Sequence, residues 1–274
     1  KPDIIFHLAA QAIVSEGYDN PIKTWQTNVI GTINLLESLK SLNNKCAVIM
    51  VTTDKVYKNK EWHFGYREID RLGGLDPYSS SKSAAELAID SWRFSYANTK
   101  LKDSRVASVR SGNVVGGGDF AKDRIIPDCV RALLNNEKII IRNPSSKRPW
   151  LHVLEPLSGY MALAEKLYLS ENKSVYTTAF NFGPIIKNNN TVEDLVREVL
   201  KTWPGEYTIS KNKSSNYESK TLNLNIDKSN NLLNWYPTLS FQETIKITVN
   251  WYLGKNKNEN PLELCISDIK NFEK

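Results

Sequence analysis

Three short apolar runs separated by stretches of helical periodicity constrain this chain more than any other feature. The first, Ile4-Ile5-Phe6-His7-Leu8-Ala9-Ala10, reads as a strand buried on both faces, as in a parallel sheet. Asn20-Pro21 then supplies an N-cap and an N1 proline. Ile22, Trp25, Val29, Ile33 and Leu36 follow at helical spacing, so a long amphipathic helix is expected over 21–40. Strands are expected at 47–51 and 106–110, with a helix over 78–96 between them. Such alternation builds βαβ units, and hence an α/β fold with a doubly wound parallel sheet. Ligands of these sheets sit beyond the carboxyl ends of the strands, here the loops after Ala10, Val51 and Arg110.

Beyond Asn113 the pattern loosens into glycine- and proline-punctuated segments with shorter helices, one over 191–203 and a final one opened by Ser240. Glu243, three residues after Ser240, completes a capping-box signature. This half is expected to form a smaller α/β substrate-binding lobe over 116–274, with some segments returning to the sheet of residues 1–115. Gly116-Gly117-Gly118 lacks the Lys-Ser/Thr of a phosphate-binding loop and is expected to be a flexible connection between the two parts. The polar stretches 188–190 and 210–218 are expected to be mobile loops.

Composition narrows the function classes. Of 274 residues, 41% are hydrophobic and 24% charged, which is the profile of a globular enzyme. The net charge of +6 is scattered and forms no basic stripe, so no nucleic-acid partner is expected. Cys46, Cys129 and Cys265 share no short spacing, which points to neither a disulfide framework nor a metal site. No apolar run approaches the roughly 18 residues of a membrane span, and Lys1-Pro2-Asp3 does not open a signal peptide, so a cytoplasmic protein without a membrane partner is expected.

The chemistry concentrates in Thr53-Asp54-Lys55, directly after one expected strand, and in Tyr78-Ser79-Ser80-Ser81-Lys82 at the start of the next helix. Residues four apart share a helical face, so the Lys82 ammonium would favour the phenolate of Tyr78 and make it a base near neutrality. Thr53 can hydrogen-bond the same substrate oxygen. Tyr-x-x-x-Lys alone is a weak signal. Together with the preceding Thr53 and with Asn28 in the earlier helix, it resembles the active-site set of the short-chain dehydrogenase/reductase superfamily, whose fold is Rossmann-like.

Further stretches resemble the nucleotide-sugar 4,6-dehydratases of that superfamily, especially those acting on CDP-glucose. They are His7-Leu8-Ala9-Ala10-Gln11, Asn28-Val29-Ile30-Gly31-Thr32, Gly65-Tyr66-Arg67-Glu68, Gly73-Gly74-Leu75-Asp76-Pro77-Tyr78-Ser79, Gly112-Asn113-Val114-Val115-Gly116-Gly117-Gly118-Asp119 and Arg148-Pro149-Trp150-Leu151-His152-Val153. Asp54-Lys55 is the most specific element, because related dTDP-glucose enzymes carry Asp-Glu there.

The resemblance implies NAD as cofactor, held by Ala9, Ala10, Gln11, Asn28, Tyr78 and Lys82. It implies Thr53, Asp54, Lys55, Tyr78 and Lys82 as catalytic residues. Tyr78 would act in oxidation at C4 and Asp54 as general acid toward the C6 hydroxyl, with Lys55 in the elimination either as the C5 base or as its helper. The substrate, CDP-glucose or a related nucleotide sugar, would meet Thr53, Asn113, Arg124, Arg142 and Arg148. His152 is either a pocket residue or a satisfied structural histidine. A homodimer through the two long helices is implied as well, and no metal is called for.

A Rossmann-like domain opens with a strand, a glycine-rich turn and a helix, which do not precede Ile4 here. The resemblance therefore implies that the sheet is incomplete at its N-terminus and that roughly 70 residues would complete it. The chain alone is then expected to be inactive. NAD, in preference to NADP, rests on the resemblance alone. An epimerase or reductase of the same superfamily, and a non-catalytic remnant, stay open as alternatives.

Overall fold

The computed structural model describes residues 1–96, 99, 103–185, 190–210 and 221–274. In chain order the elements begin with β1 (Ile4–His7), α1 (Val14–Asp19), α2 (Pro21–Trp25) and one turn of π-helix (Gln26–Ile30) that runs into α3 (Gly31–Ser38). β2 (Cys46–Val51), α4 (Pro77–Tyr96), β3 (Ser104–Arg110) and β4 (Val114–Val115) follow. Next are α5 (Ile125–Leu134), β5 (Ile139–Ile141), β6 (Leu151–His152), α6 (Leu154–Leu169) and β7 (Ala179–Asn181). The chain continues with α7 (Val192–Thr202), β8 (Tyr207–Ile209), α8 (Asp227–Leu233), α9 (Phe241–Asn256) and α10 (Pro261–Phe272).

These elements divide into two compact units, the first made of residues 1–112, 158–183 and 222–236. Its sheet runs β1-β2-β3-β7 with every pairing parallel. Cys46, Val48 and Met50 of β2 and Val106 of β3 share a face and pack with Leu36, Leu39, Ile89 and Trp92 from the helical side. Arg105, paired in register with Ala47, lies on the opposite face and donates to the carbonyls of Leu167, Tyr168 and Ser170 at the end of α6. Helices thus cover both faces, which is the doubly wound arrangement.

Two expectations need correction here. β1 is the edge of the described sheet, and its residues alternate between exposed (Ile4, Phe6) and half-buried (Ile5, His7), so it is not buried on both faces. The long helix is interrupted by the π turn, and its buried face is Thr24, Asn28, Thr32, Leu36 and Leu39. Ile22 is 73% and Trp25 41% exposed, and Ile33 is exposed too. The polar side chains turn inward because they bind backbone and side-chain partners there. Thr32 Oγ1 donates to the Asn28 carbonyl, and Thr24 Oγ1 accepts from Gln11 Nε2.

At the centre of this unit lies a buried ion pair. Glu86 of α4 and Arg110 of β3 are 0% and 1% exposed, and Arg110 Nε and Nη2 bind the two carboxylate oxygens at 2.9 and 2.8 Å. Thr52 and Ser108 hydroxyls donate to the same carboxylate at 2.5 and 2.8 Å. Arg110 Nη1 donates on to Tyr57 Oη and to the Glu68 carbonyl, and Tyr57 Oη donates to Asn181 Oδ1 at 2.7 Å. One network therefore ties α4 to β2, β3 and β7.

The second unit comprises residues 113–157, 184–221 and 237–274. Its core is built by Ile126, Cys129 and Val130 of α5, Leu195 and Val199 of α7, and Ile245, Val249 and Trp251 of α9, around Ile139 and Ile141. Two short parallel pairs, β4-β6 and β5-β8, complete it. The expected capping box at Ser240 with Glu243 is formed, and a second one at Thr191 with Asp194 opens α7. The helix after Ser240 is not the last, because Asn260 caps α10, which packs against α9 with Gly254 beneath Leu264.

The Gly116–Gly118 segment is packed, where a flexible connection is expected. A Cβ at Gly117 would lie 2.1 Å from the Trp251 ring, so the backbone rests directly on the indole. Apart from Asn190 and Ser210, the stretches expected to be mobile lie outside the described residues.

Removing one partner of a buried pair strands the other charge, at a cost of about 3–5 kcal/mol, whereas a matched apolar replacement is close to neutral. Arg110→Met is therefore expected to lower the urea midpoint steeply, and Glu86→Leu with Arg110→Met to recover much of the loss.

Candidate active site

The carboxyl ends of β1, β2 and β3 gather the expected catalytic residues within the first unit. Thr53 and Asp54 are buried just beyond β2, where Asp54, Lys55 and Val56 make one turn of 3₁₀-helix. Thr53 Oγ1 donates to Asp54 Oδ1 at 3.0 Å and accepts from the Lys55 N–H at 3.4 Å. The Asp54 N–H donates to the Ser111 carbonyl at 3.1 Å, which fixes this turn to the segment after β3. Lys55 is half-buried beside it.

Tyr78 and Lys82 are both buried on the first turns of α4. The helix starts here because Pro77 takes the first position, while the Asp76 carboxylate accepts the N–H and hydroxyl of Ser79. Gly74, in the turn ahead, donates its N–H to Ser83 Oγ, and its carbonyl accepts from Ser80. Lys82 Nζ donates to the Val51 carbonyl at 3.2 Å, so the ammonium reaches the end of β2. Burial pushes the Lys82 amine down to about 8, against the pull of the Glu86 carboxylate one turn on. Glu86 itself stays charged, because Arg110 and Thr52 hold its carboxyl down against the cost of burial. Burial, and after it the Lys82 charge, lower the His7 imidazole from its ordinary value.

Asn28 serves this site as a clasp. Its Oδ1 accepts the Gln11 N–H at 2.9 Å, while Nδ2 donates to the Gln11 carbonyl and to Ser81 Oγ at 3.0 and 2.9 Å. Both amide ends thus bond protein groups in this structure. It holds the loop after β1 against α4. The π turn that carries Asn28 fits this task, since such turns recur at functional sites.

The exposed Ala9 and half-buried Ala10 that begin the β1 loop present small side chains, so the backbone there is open to approach. With the buried Lys82 ammonium and Tyr78 on α4, these residues fit a dinucleotide laid across the carboxyl ends of the strands.

The other expected substrate residues belong to the second unit. Arg124 Nη1 binds Asp119 Oδ2 at 2.8 Å, and Arg142 Nη2 binds Asp123 Oδ1 at 3.1 Å. Both guanidiniums are thus already paired with carboxylates. Arg148 Nη1 donates to the Lys147 carbonyl, and Asn113 takes a left-handed conformation with its carbonyl accepting the Leu151 N–H. His152 is 1% exposed, and its Nδ1 accepts the Leu154 N–H at the start of α6. Its Nε2 is buried and has no hydrogen-bond partner among the described residues. Among the described residues no group of three or more His, Cys, Asp or Glu could hold a metal ion.

Several site residues were not foreseen. Glu86 stands four residues after Lys82, so the same helical spacing that pairs Tyr78 with Lys82 pointed to it. Arg110, Thr52, Ser108 and Ser81 carry no such local signal, because only the register of β2 and β3 and the clasp from Asn28 bring them together.

The parallel sheet, the strand-end Thr53 and the Tyr78–Lys82 helix define a Rossmann-like enzyme of the short-chain dehydrogenase/reductase type. More narrowly, the chain belongs to the GDP-mannose 4,6 dehydratase family, whose profile matches residues 1–248. It is 43% identical over 276 residues to CDP-glucose 4,6-dehydratase of Salmonella typhimurium, with 99% of this chain and 76% of that protein covered. Among solved structures it resembles UDP-glucuronic acid 4-epimerase from Bacillus cereus, in complex with UDP-glucuronic acid and NAD, at a TM-score of 0.79 and 19% identity, covering 92% of this chain and 76% of that one. It likewise resembles dTDP-glucose 4,6-dehydratase from Bacillus anthracis in complex with NAD, at a TM-score of 0.72 and 24% identity, covering 95% of this chain and 75% of that one.

The burial of His152 has a consequence in acid. Burial pushes its imidazole from the ordinary 6.5 to about 4, so the unfolded chain binds this proton more readily. Its contribution is fully present above pH 6.5 and is lost as pH falls toward 4. Between pH 7 and 4.5 the native chain is expected to lose roughly 2 kcal/mol more than His152→Gln, measured by urea denaturation.

Proposed function

We propose that this chain is a nucleotide-sugar 4,6-dehydratase that converts CDP-glucose to CDP-4-keto-6-deoxyglucose. The observation that carries this reading is the buried Asp54, with Lys55 beside it, held at the carboxyl end of β2 within the same unit as the Tyr78–Lys82 pair. The 43% identity to a CDP-glucose 4,6-dehydratase supports the choice of substrate.

Elimination of water from an unactivated C5–C6 bond is slow because the C5 proton is not acidic. Oxidation of C4 to a ketone makes it so. Tyr78, as phenolate, takes the proton of the C4 hydroxyl, and the Lys82 ammonium stabilises that phenolate. NAD, when bound, supplies the hydride acceptor for this oxidation and returns the hydride at C6, leaving no net redox change. The Thr53 hydroxyl donates to Asp54 in the free site, and turning that one hydrogen to the substrate's C4 oxygen would hold the oxygen while Tyr78 takes its proton. Asp54, protonated, then gives its proton to the departing C6 hydroxyl, and Lys55 serves the same elimination on the C5 side.

In the second unit, Asn113, Arg124, Arg142 and Arg148 are assigned to the substrate, the arginines to its diphosphate. A planar guanidinium suits that group even where an aspartate shares it. Among the described residues no helix is long and apolar enough to cross a membrane.

Tyr78 and Asp54 act at different steps in this scheme. In the NAD-loaded full-length protein, Tyr78→Phe is expected to suppress both the absorbance of reduced NAD and the keto product after mixing with CDP-glucose. Asp54→Asn is expected to keep the first and lower the second by about 10²–10⁴-fold, the usual cost of losing general-acid help. Equal loss of reduced NAD in both variants would remove Asp54 from the elimination and take the dehydratase reading with it.

A homodimer is the proposed assembly. Ile22, Trp25 and Ile33 on the first long helix and Leu87 and Phe94 on α4 are exposed apolar side chains, Phe94 by 90%. Two helices bearing such residues suit an isologous interface between copies. Trp25→Asp with Phe94→Asp is expected to shift the protein to monomer in sedimentation velocity without changing the helix content seen by circular dichroism.

A further inference from the structure

Gly112 lies two residues past the end of β3, buried against Asp54. The space a side chain would occupy there is already filled. A Cβ on Gly112 would stand 1.9 Å from Asp54 Oδ2, 2.0 Å from Cγ and 2.5 Å from Oδ1, so all three carboxylate atoms lie within the volume of a single methyl group. The main chain offers no slack. The Asp54 N–H is bonded to the Ser111 carbonyl, the neighbour of Gly112, and Thr52 N–H is bonded to the Val109 carbonyl. A methyl at residue 112 must therefore rotate the Asp54 carboxylate away or part the ends of β2 and β3.

We infer that Gly112 is a positioning residue for the elimination step, its missing side chain being the socket that holds the Asp54 carboxyl at the reaction site. The inference rests on the assignment of Asp54 as the acid toward C6. It separates the two half-reactions by geometry, because Tyr78 and Lys82 stand on α4 and their first turns do not depend on the socket. The Thr53 hydroxyl, which donates to Asp54 Oδ1 at 3.0 Å, reaches the same carboxyl from within its own turn.

A thermodynamic cycle tests the contact without any turnover. Gly112→Ala is expected to lower the urea midpoint in the native background and to leave it unchanged in Asp54→Ala, which removes the three colliding atoms. Should Gly112→Ala alone fail to fold, recovery of folding in the Asp54→Ala background carries the same meaning. Equal destabilisation in both backgrounds, or failure to fold in both, overturns the socket.

Rapid mixing of the NAD-loaded full-length protein with CDP-glucose tests the consequence for chemistry. Gly112→Ala is expected to give the native amplitude of reduced NAD while product formation falls by about 10²-fold, the size of effect that an ångström of misplacement produces. Loss of reduced NAD in step with product overturns the role in elimination. Product formation by Asp54→Asn at the native rate, with the midpoint coupling intact, would instead mark the acid assignment as the part that fails.

Discussion

The interior charge pair of Glu86 and Arg110 is the constraint from which the site takes its geometry. Such a pair contributes little net stability, since desolvation offsets most of the attraction, but it tolerates few arrangements. Here every acceptor position of the carboxylate is used, two by the guanidinium and two by hydroxyls from the strands on either side. Thr52 is one of those hydroxyls and stands between Val51, whose carbonyl receives Lys82, and Thr53. The depth to which α4 sits on the sheet and the point at which β2 ends are therefore fixed by the same few bonds. Lys82 feels the pair directly. Glu86 opposes the desolvation that would strip its proton, and the Lys82 charge in turn helps to lower the His7 imidazole.

Much of the first unit could be read in the sequence because its signals are local. Apolar runs such as Ala47-Val48-Ile49-Met50-Val51 mark buried parallel strands, and Asn20-Pro21 marks a helix start. Ser240 with Glu243 forms both halves of the expected cap. The first long helix misled for a physical reason. Hydrophobic periodicity assumes that the apolar face is the inner one, but the inner face here must bind the Gln11 loop and Ser81 through Thr24 and Asn28. Of the periodic apolar residues, Leu36 reaches the core while Ile22, Trp25 and Ile33 were left to the outside.

The site was readable where chemistry and helical spacing coincide, as for Tyr78 and Lys82, and unreadable where it depends on neighbours distant in the chain. Arg110 looked like the last residue of a strand, and Gly112 like one more turn residue. Only the register between β2 and β3 shows that the first faces a buried carboxylate and the second makes room for another. The arginines of the second unit show the converse limit. Their residue type suited an anion, but the aspartates that balance Arg124 and Arg142 come from the loop just before α5, and no local spacing pairs them with these arginines.

The π turn at Gln26–Ile30 gives the first long helix one residue more than a regular α-helix would need to reach the same end point. The extra residue works as a phase shifter between two stretches of backbone that each keep their own regular pitch. Deleting one residue within it would restore an unbroken α-helix and turn everything on one side by about 100° relative to the other. Leu36 and Leu39 are anchored in the core, so the rotation would fall on the upstream half and carry Thr24 away from Gln11. The segment is thus built to accept exchanged side chains on its outer face more readily than any change in its length.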